Sequence, residues 1–265
     1  MGIDFMILVI YLLLGLLAGT LGGLMGIGGG IIIVPALHYI FIGQGFPAEI
    51  LMHLAVATSL ATIVFTSIFA SWIHHHKGAV RWRAVGMLAP GILLGGMVGA
   101  TIANFLPSDT LRIGFGLFEL MVAVQIASDV KPLPHRDLPA TGALVSVGGG
   151  IGMLSTLLGI GGGTLTVPFL LWCNVSMREA VATSSACGLP IALAGTTSMI
   201  VTGWNHPALP EDCLGYVYWP AALVIVAATF IAAPFGARQV HRLPIKTLKR
   251  LFAIVLTVVG VRMLI

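Results

Sequence analysis

Long apolar segments with almost no charge dominate this chain of 265 residues. Several of them reach the roughly 20 apolar residues that a helix needs to cross a membrane. Overall, 58% of the residues are hydrophobic and 8% are charged, whereas soluble domains contain about 25% charged residues. A soluble domain could not cover its surface with so few charges. The sequence therefore predicts an all-α integral membrane protein.

Two motifs occur twice in the chain. The segment LMGIGGGIIIVPAL at 24–37 matches LLGIGGGTLTVPFL at 157–170, and AVATS at 55–59 recurs at 180–184. From Gly78 onward the two copies keep one constant spacing and share further identities, which include a Trp and a Pro. Such matches indicate an internal duplication.

The duplication divides the chain into three parts. A first transmembrane repeat covers 1–127, a polar, proline-rich linker covers 128–138, and a second transmembrane repeat covers 139–265. Each repeat contains four apolar segments.

The first apolar segment of each repeat, about 5–42 and 139–173, is too long for one helix and is interrupted by GIGGG. Two full crossings would place this turn in water, yet residues 19–30 carry one hydroxyl and no charge. The alternative is a helical hairpin with its tip near mid-membrane, where irregular backbone must be buried in protein or line a cavity. The composition favours the hairpin, followed by three transmembrane helices in each half, and two crossings stay open as the alternative.

Basic residues mark cytoplasmic loops. The loop at 74–83 carries three Lys or Arg residues and its counterpart at 204–216 carries none, whereas 106–112 carries one and 237–250 carries five. Equivalent loops thus face opposite sides, which is typical of an inverted-repeat transporter. On this basis 74–83, the linker, 174–179 and 237–250 are predicted to be cytoplasmic.

The GIGGG turns favour an anion-binding site. Glycine exposes backbone N–H groups and allows close approach, and the helix that follows presents unpaired donors and the positive end of its dipole. Close helix packing is the alternative explanation for these glycines. The candidate substrate-binding glycines are Gly28, Gly29, Gly30, Gly161, Gly162 and Gly163.

The AVATS segments supply hydroxyl groups that either donate to an oxyanion or bond back to their own helix. These candidates are Thr58, Ser59, Thr183 and Ser184. Two residues before each AVATS lie His53 and Arg178, whose basic side chains would attract an anion or extend towards the headgroups.

Glu119 is the acidic residue deep inside an apolar segment, and its repeat counterpart is Leu256. A carboxylate in a membrane is expected to be functional, often in proton handling, so Glu119 is the candidate coupling residue, with a structural bond as the alternative. The run HHHK at 74–77 predicts a solvated basic loop. No metal site, cofactor motif or nucleophile–base pair is evident, and the sequence predicts no enzyme. The expected partners are a small anionic substrate and the lipid bilayer, not nucleic acid, and a homodimer stays open.

The sequence GLMGIGGGIIIVPAL followed by AVATS, repeated as GIGGGTLTVPFL and AVATSS, resembles the sulfite exporter TauE/SafE family over essentially the whole chain. The resemblance implies a multi-pass secondary transporter of the bacterial inner membrane. It also implies export of a small sulfur-containing anion, either sulfite or an organosulfonate such as sulfoacetate, with proton coupling as an option. An uncoupled anion channel and a transporter of another anion or of a metal ion are the alternatives.

Overall fold

A computed structural model gives the structure of this chain and describes residues 5–25, 29–128, 139–239 and 245–265. In these ranges the first half forms α1 (Phe5–Met25), α2 (Gly30–Gly43), α3 (Leu51–His76), α4 (Trp82–Phe105) and α5 (Ser108–Ala127). The second half forms α6 (Thr141–Leu158), α7 (Gly163–Trp172), α8 (Met177–Gly203), α9 (Trp219–Gln239) and α10 (Ile245–Leu264). A hairpin of β1 (Cys213–Leu214) and β2 (Val217–Tyr218) precedes α9.

These elements confirm the predicted all-α membrane protein. Among the described residues, five helices are long and apolar enough to cross a membrane. They are α3 together with the preceding turn Ala48–Ile50, α4, α5, α6 and α8. Of the predicted linker, the structure describes only Ser128, which ends α5.

Both long first segments are interrupted at their glycine runs, as the sequence predicts. α6 ends at Leu158, and the next residue, Gly159, has a φ of +66° in the left-handed region that favours glycine. The N–H of Ile160 then bonds to the carbonyl of Ser155 at 3.0 Å, and the chain turns into α7 at Gly163. In the first half, α1 ends at Met25 and α2 begins at Gly30.

α3 and α8 form the centre of the bundle, and more than half of the residues in each are buried. Gly195 of α8 lies against Leu60 of α3, and Gly188 lies against Ser67. Because one residue number rises as the other falls, these two helices are antiparallel.

The other long helices pair across the two halves. α4 packs on α6, and α1 packs on α9, which is the same pairing with the two halves exchanged. α5 packs on its own counterpart α10, where the backbones of Gly116 and Gly260 meet and Arg112 donates to the carbonyl of Met263. α5 and α10 are therefore antiparallel as well.

Glycines make the contact between α4 and α6 very close. Gly91, Gly95 and Gly99 recur every fourth residue of α4 and lie against the backbone of α6, while Gly148 and Gly152 of α6 lie against the backbone of α4. A Cβ added at any of the five would lie within 3.0 Å of the opposite backbone. Small residues at this spacing let membrane helices pack backbone to backbone.

We expect Gly95→Ala to destabilise the protein by about 1–3 kcal/mol, because the added methyl overpacks a tight contact. The Cβ would lie 2.7 Å from the carbonyl carbon of Gly149, and backbone cannot move aside as a side chain does. The matched control is Gly86→Ala in the same helix, since a Cβ at Gly86 meets nothing within 4 Å. Thermal unfolding in detergent measures both variants, and equal melting temperatures would contradict the importance of the close contact.

Two predicted cytoplasmic segments, 74–83 and 174–179, lie together at one end of the α3–α8 pair. Arg81 donates to the carboxylate of Glu179 at 2.9 and 3.0 Å, and Arg178 donates to the carbonyl of Lys77 at 3.4 Å. The prediction that 74–77 forms a loop is wrong for the histidines, which form the last turn of α3.

The loop between α8 and α9 lies at the opposite end of this pair. Its β-hairpin was not predicted, and it folds back onto the bundle so that Tyr216 and Val217 are buried. The hydroxyl of Tyr216 donates to Asn104 Oδ1 at 3.0 Å. The loop at 204–216 is therefore at the other end of the molecule from 74–83.

Candidate anion site at the glycine tips

The second glycine tip, residues 159–163, lies inside the protein. All its residues are buried, including the predicted site residues Gly161, Gly162 and Gly163. A Cβ added at Gly162 would lie 2.5 Å from the carbonyl oxygen of Ser184 and 3.0 Å from the N of Gly188. The tip therefore touches the backbone of the central helix α8 directly.

The described part of the first glycine tip, Gly29 and Gly30, meets the second tip. A Cβ added at Gly30 would lie 2.6 Å from the carbonyl oxygen of Gly159 and 3.1 Å from Ile63 Cδ1. The hydroxyl of Ser59 on α3 donates to the same carbonyl of Gly159 at 2.8 Å. Because Ile63 is midway along α3, the tips meet near the middle of the bundle.

Two helices begin at this meeting point. Gly29 is the N-cap of α2 and Gly162 is the N-cap of α7, and neither provides a side-chain cap. The N–H of Thr166 is the first in α7 to bond back to the tip, to the carbonyl of Gly162 at 2.9 Å. The earlier N–H groups of such a helix end lack intrahelical partners and carry partial positive charge. The predicted residue Gly28 lies outside the described residues.

Thr58 and Thr183 hold equivalent positions in the two halves and make equivalent hydrogen bonds. Thr58 Oγ1 accepts from the N–H of Tyr218 at 3.0 Å, and Thr183 Oγ1 accepts from the N–H of Arg81 at 3.0 Å. Both donors lie immediately before a long helix of the other half, which is α9 for Thr58 and α4 for Thr183. The recurrence of these threonines thus has a structural explanation, because each anchors the start of a helix in the other half.

The two AVATS serines differ in their partners. Ser59 bonds across to the second tip, as described above, whereas the hydroxyl of Ser184 bonds back to the carbonyl of Val181 in its own helix at 2.9 Å. Ser184 nevertheless lies at the tip, because its carbonyl oxygen faces Gly162.

The structure does not bring His53 and Arg178 together. Each lies near the start of its helix, and since α3 and α8 are antiparallel these starts are at opposite ends of the bundle. His53 is buried, bonds to the carbonyl of Ala103 at 2.9 Å and packs on the ring of Tyr216. Arg178 is exposed at the other end. Each is six residues, or about 9 Å of helix, from the serine of its own AVATS segment.

Glu119 lies apart from the tips in a cavity of about 190 Å³ between α2, α5 and α10. It is fully buried, and neither carboxylate oxygen has a hydrogen-bond partner among the described residues. Its repeat counterpart Leu256 lines the same cavity, as do five residues of α2. They are Ile31, Ile32, Pro35, Ala36 and Tyr39. The cavity therefore reaches from the carboxyl to the arm that starts at the first tip.

The sequence profile of the sulfite exporter TauE/SafE family matches residues 11–263. This chain belongs to that family. A "Probable membrane transporter protein" of Haemophilus influenzae is 39% identical over 264 residues, which are 98% of each chain. The "Probable membrane transporter protein YunE" of Bacillus subtilis is 26% identical over 97% of each chain. A "Probable membrane transporter protein" of Xylella fastidiosa is 32% identical over 71% of this chain and 70% of its own. Together these matches identify a membrane transporter.

Sequence reasoning missed one group of residues in this TauE/SafE protein. Buried hydroxyls without a partner in the described structure flank the second tip on both arms. They are Ser155 and Thr156 at the end of α6 and Thr164 and Thr166 at the start of α7. The signal was present, since the second copy reads STLLGIGGGTLT where the first reads GGLMGIGGGIII, but these hydroxyls lie where the two copies differ, and residues shared by the copies do not mark them.

Proposed function

We propose that this protein is a secondary transporter that exports a small sulfur-containing anion, sulfite or an organosulfonate such as sulfoacetate, across the bacterial inner membrane. The observation that carries the proposal is the meeting of two glycine tips in the middle of the bundle. Each tip starts a helix without a side-chain cap, so backbone N–H groups are the donors available to a ligand. Backbone N–H groups donate and cannot accept, and they favour an anion over a cation.

The membership in the TauE/SafE family supports the sulfur-containing substrate and its export. The tips themselves support only a small anion, because N–H groups and hydroxyls do not distinguish a sulfonate from another oxyanion. The Ser59 hydroxyl, Gly30 and the second tip form the centre of the proposed site. Thr58 and Thr183 support it by fixing the helices around it. Contact of His53 or Arg178 with the anion would require the anion to pass them on its way in or out.

We also propose that the two halves form an inverted repeat with re-entrant hairpins. If the two halves were related by a two-fold axis along the membrane normal, each helix would be parallel to its counterpart in the other half. A two-fold axis in the membrane plane makes each helix antiparallel to its counterpart. The antiparallel pairs α3–α8 and α5–α10 support the second arrangement. The burial of the second tip, at the level of the central helices, supports hairpins over loops in water.

Cysteine labelling tests this topology. Lys77→Cys and Glu211→Cys, both at exposed positions, are introduced singly after the native cysteines are replaced. We expect an impermeant maleimide to label Glu211→Cys in intact cells and to label Lys77→Cys only after permeabilisation. Burial and the nearby Asp212 raise the pKa of the native Cys213 thiol to about 12, so any Cys213 left in place is expected to react slowly. Labelling of both introduced cysteines from the same side would contradict the inverted repeat.

Flux measurements in proteoliposomes test the transport function. We expect sulfite or sulfoacetate uptake that exceeds the rate in empty liposomes and that responds to an imposed pH gradient. Accumulation above the equilibrium level distinguishes a coupled transporter from an uncoupled anion channel, which only equilibrates its substrate. Absence of flux for every anion tested would contradict the proposal.

A further inference from the structure

The cavity beside Glu119 combines apolar walls with one carboxyl. Apart from Glu119, Tyr39 and Arg262, the described residues that line it are apolar residues of α2 and α10. Glu119 is fully buried, and neither of its carboxylate oxygens has a hydrogen-bond partner among the described residues. A buried polar group without a partner is costly, so a ligand that supplies a hydrogen bond to this carboxyl would be stabilised here.

One side of the cavity faces the surface of the bundle. Val255 and Val258 of α10 and Tyr39 of α2 line the cavity, and all three residues are exposed. On the outside of a membrane protein such side chains lie against lipid, whose tails are as apolar as the side chains themselves. A ligand that dissolves in the membrane therefore reaches the cavity directly.

Arg262 is the basic residue that lines the same cavity. It makes no ion pair with Glu119 in the part of the chain that the structure describes. Arg262 is exposed, and a long basic side chain at a membrane surface extends its charge into water. Glu119 is therefore the ionisable group that a ligand meets inside the cavity.

The carboxyl and the apolar walls together restrict the class of ligand. A purely apolar molecule would leave both oxygens without a partner, and an anion would be repelled by a carboxylate. Water is disfavoured because apolar cavities stay dry. A hard metal ion needs several oxygen ligands, whereas the lining side chains offer one carboxyl and the Tyr39 hydroxyl, which donates to the carbonyl of Arg262 at 2.8 Å. A primary amine supplies N–H donors and a positive charge, and the rest of the molecule can be apolar.

The volume of the cavity sets the size of that apolar part. The cavity measures about 190 Å³, and an apolar cavity of about 150 Å³ is large enough to hold benzene. The space beside Glu119 is therefore sufficient for one six-membered ring with a short aminoalkyl group.

We propose that this cavity is a binding site for a lipophilic primary amine, with the nitrogen beside the Glu119 carboxyl and the apolar part against α2 and α10. The amine enters from the membrane as the neutral base and accepts the proton of Glu119. The O–H bond of the carboxyl breaks, a third N–H bond forms on the nitrogen, and an ammonium–carboxylate pair results. Because no net charge enters the protein, the cost of burying an isolated ion is avoided. The amine site lies apart from the glycine tips.

Calorimetric titration of the purified full chain in nanodiscs tests the proposal with three probes that share one ring. Benzylamine has N–H donors and can take up a proton, benzyl alcohol stays neutral, and benzyltrimethylammonium is charged but has no N–H. We expect benzylamine to bind at least about tenfold more tightly than the other two, since a hydrogen bond to a charged group corresponds to about tenfold to a hundredfold in affinity.

Two variants test the carboxyl and the cavity separately. Glu119→Gln keeps the shape of the side chain but cannot form the ion pair, and it should weaken benzylamine binding about tenfold to a hundredfold. Ala36→Leu fills part of the cavity, which Ala36 lines, and should weaken binding while the carboxyl is unchanged. Asp109→Asn is the matched control, an acid-to-amide change in the same helix at a side chain that is 85% exposed, and it should bind benzylamine normally. Size-exclusion profiles and melting temperatures show which variants are folded.

Equal binding of benzylamine and benzyl alcohol would mean that the cavity takes an apolar occupant such as a lipid chain, and it would overturn the amine site. Unchanged benzylamine affinity in folded Glu119→Gln would overturn it as well. Both results would leave anion flux in proteoliposomes, and with it the proposed function, intact. Absence of anion flux together with Glu119-dependent benzylamine binding would contradict the proposed function and leave the amine site in place.

Discussion

Gly162→Ala is expected to reduce anion uptake in proteoliposomes by about a hundredfold or more. The added methyl would lie 2.5 Å from the carbonyl oxygen of Ser184 and 3.0 Å from the N of Gly188. Both atoms belong to the backbone of α8, which cannot rotate away, so the start of α7 must shift. Each donor that leaves a charged ligand costs about 1.5–3 kcal/mol, and two such losses account for a factor of about a hundred or more.

A control is needed because Gly162→Ala also strains the fold. Gly142→Ala changes a glycine of the neighbouring α6 whose added Cβ would meet nothing within 4 Å, and it should leave uptake unchanged. Gly30→Ala alters the contact between the tips from the other side, since its Cβ would approach the carbonyl of Gly159 at 2.6 Å. If folded Gly162→Ala and Gly30→Ala proteins transport at the original rate, the tips are packing elements and the anion binds elsewhere.

The glycine tips illustrate what local sequence can predict. A run such as GIGGG destabilises the continuation of a helix, because glycine is a poor helix former. Glycine can also adopt the left-handed φ that Gly159 has after the end of α6. The repeat adds that the same break occurs twice. Both features depend on neighbouring residues in the chain, so the interruption and the order of the helices followed from the sequence.

The partners of the AVATS threonines could not be predicted in the same way. Thr58 accepts from Tyr218, and the two residues are 160 positions apart. The partner is a backbone N–H, which every residue except proline provides, so no side-chain pattern marks it. The same is true of Thr183 and Arg81. The sequence identified the important positions, while the hydrogen-bond partner depends on tertiary structure.

His53 and Arg178 show that residues at equivalent positions of two repeats need not lie at one site. Their equivalence suggested that both contact one anion. In antiparallel α3 and α8, however, equivalent residues are close only where the helices cross, and they separate towards the ends. Ser59 and Ser184 are nearer to the crossing and both contact the second tip. His53 and Arg178 lie six residues before these serines, which is about 9 Å along the helix. Because the helices are antiparallel, the two side chains are displaced in opposite directions.

The Glu119 cavity depends on the contact between α5 and α10. The sequence identifies Glu119 as the acidic residue in an apolar segment, but it does not show that Leu256 faces the same space. That juxtaposition arises because the two helices cross at Gly116 and Gly260, close to both residues. One half therefore contributes a carboxyl to the cavity and the other contributes a leucine. The two halves thus differ in chemistry at equivalent residues that lie side by side.

Glu119→Gln is expected to abolish uptake driven by a pH gradient while leaving anion binding within about twofold of the original affinity. Neither carboxylate oxygen of Glu119 has a hydrogen-bond partner among the described residues, although Arg262 lines the same cavity. A buried carboxylate without a hydrogen bond is costly, so we infer that Glu119 holds a proton while it is shielded from water and releases it when water reaches it. Because five residues of α2 line the cavity, a change in its shape would involve the arm that starts at the first tip. Glutamine has nearly the same shape but cannot release a proton, and it removes the coupling without removing the site.

The measurement compares uptake with and without an imposed pH gradient, together with substrate exchange at equal pH on both sides. Glu119→Gln should retain exchange and lose the response to the gradient, and Glu119→Asp, which restores a carboxyl, should recover part of it. Asp109→Asn is the matched control, an acid-to-amide change in the same helix at a side chain that is 85% exposed, and it should respond to the gradient normally. A normal gradient response in Glu119→Gln would mean that the carboxyl is structural, and the coupling proton would then have to bind outside this cavity.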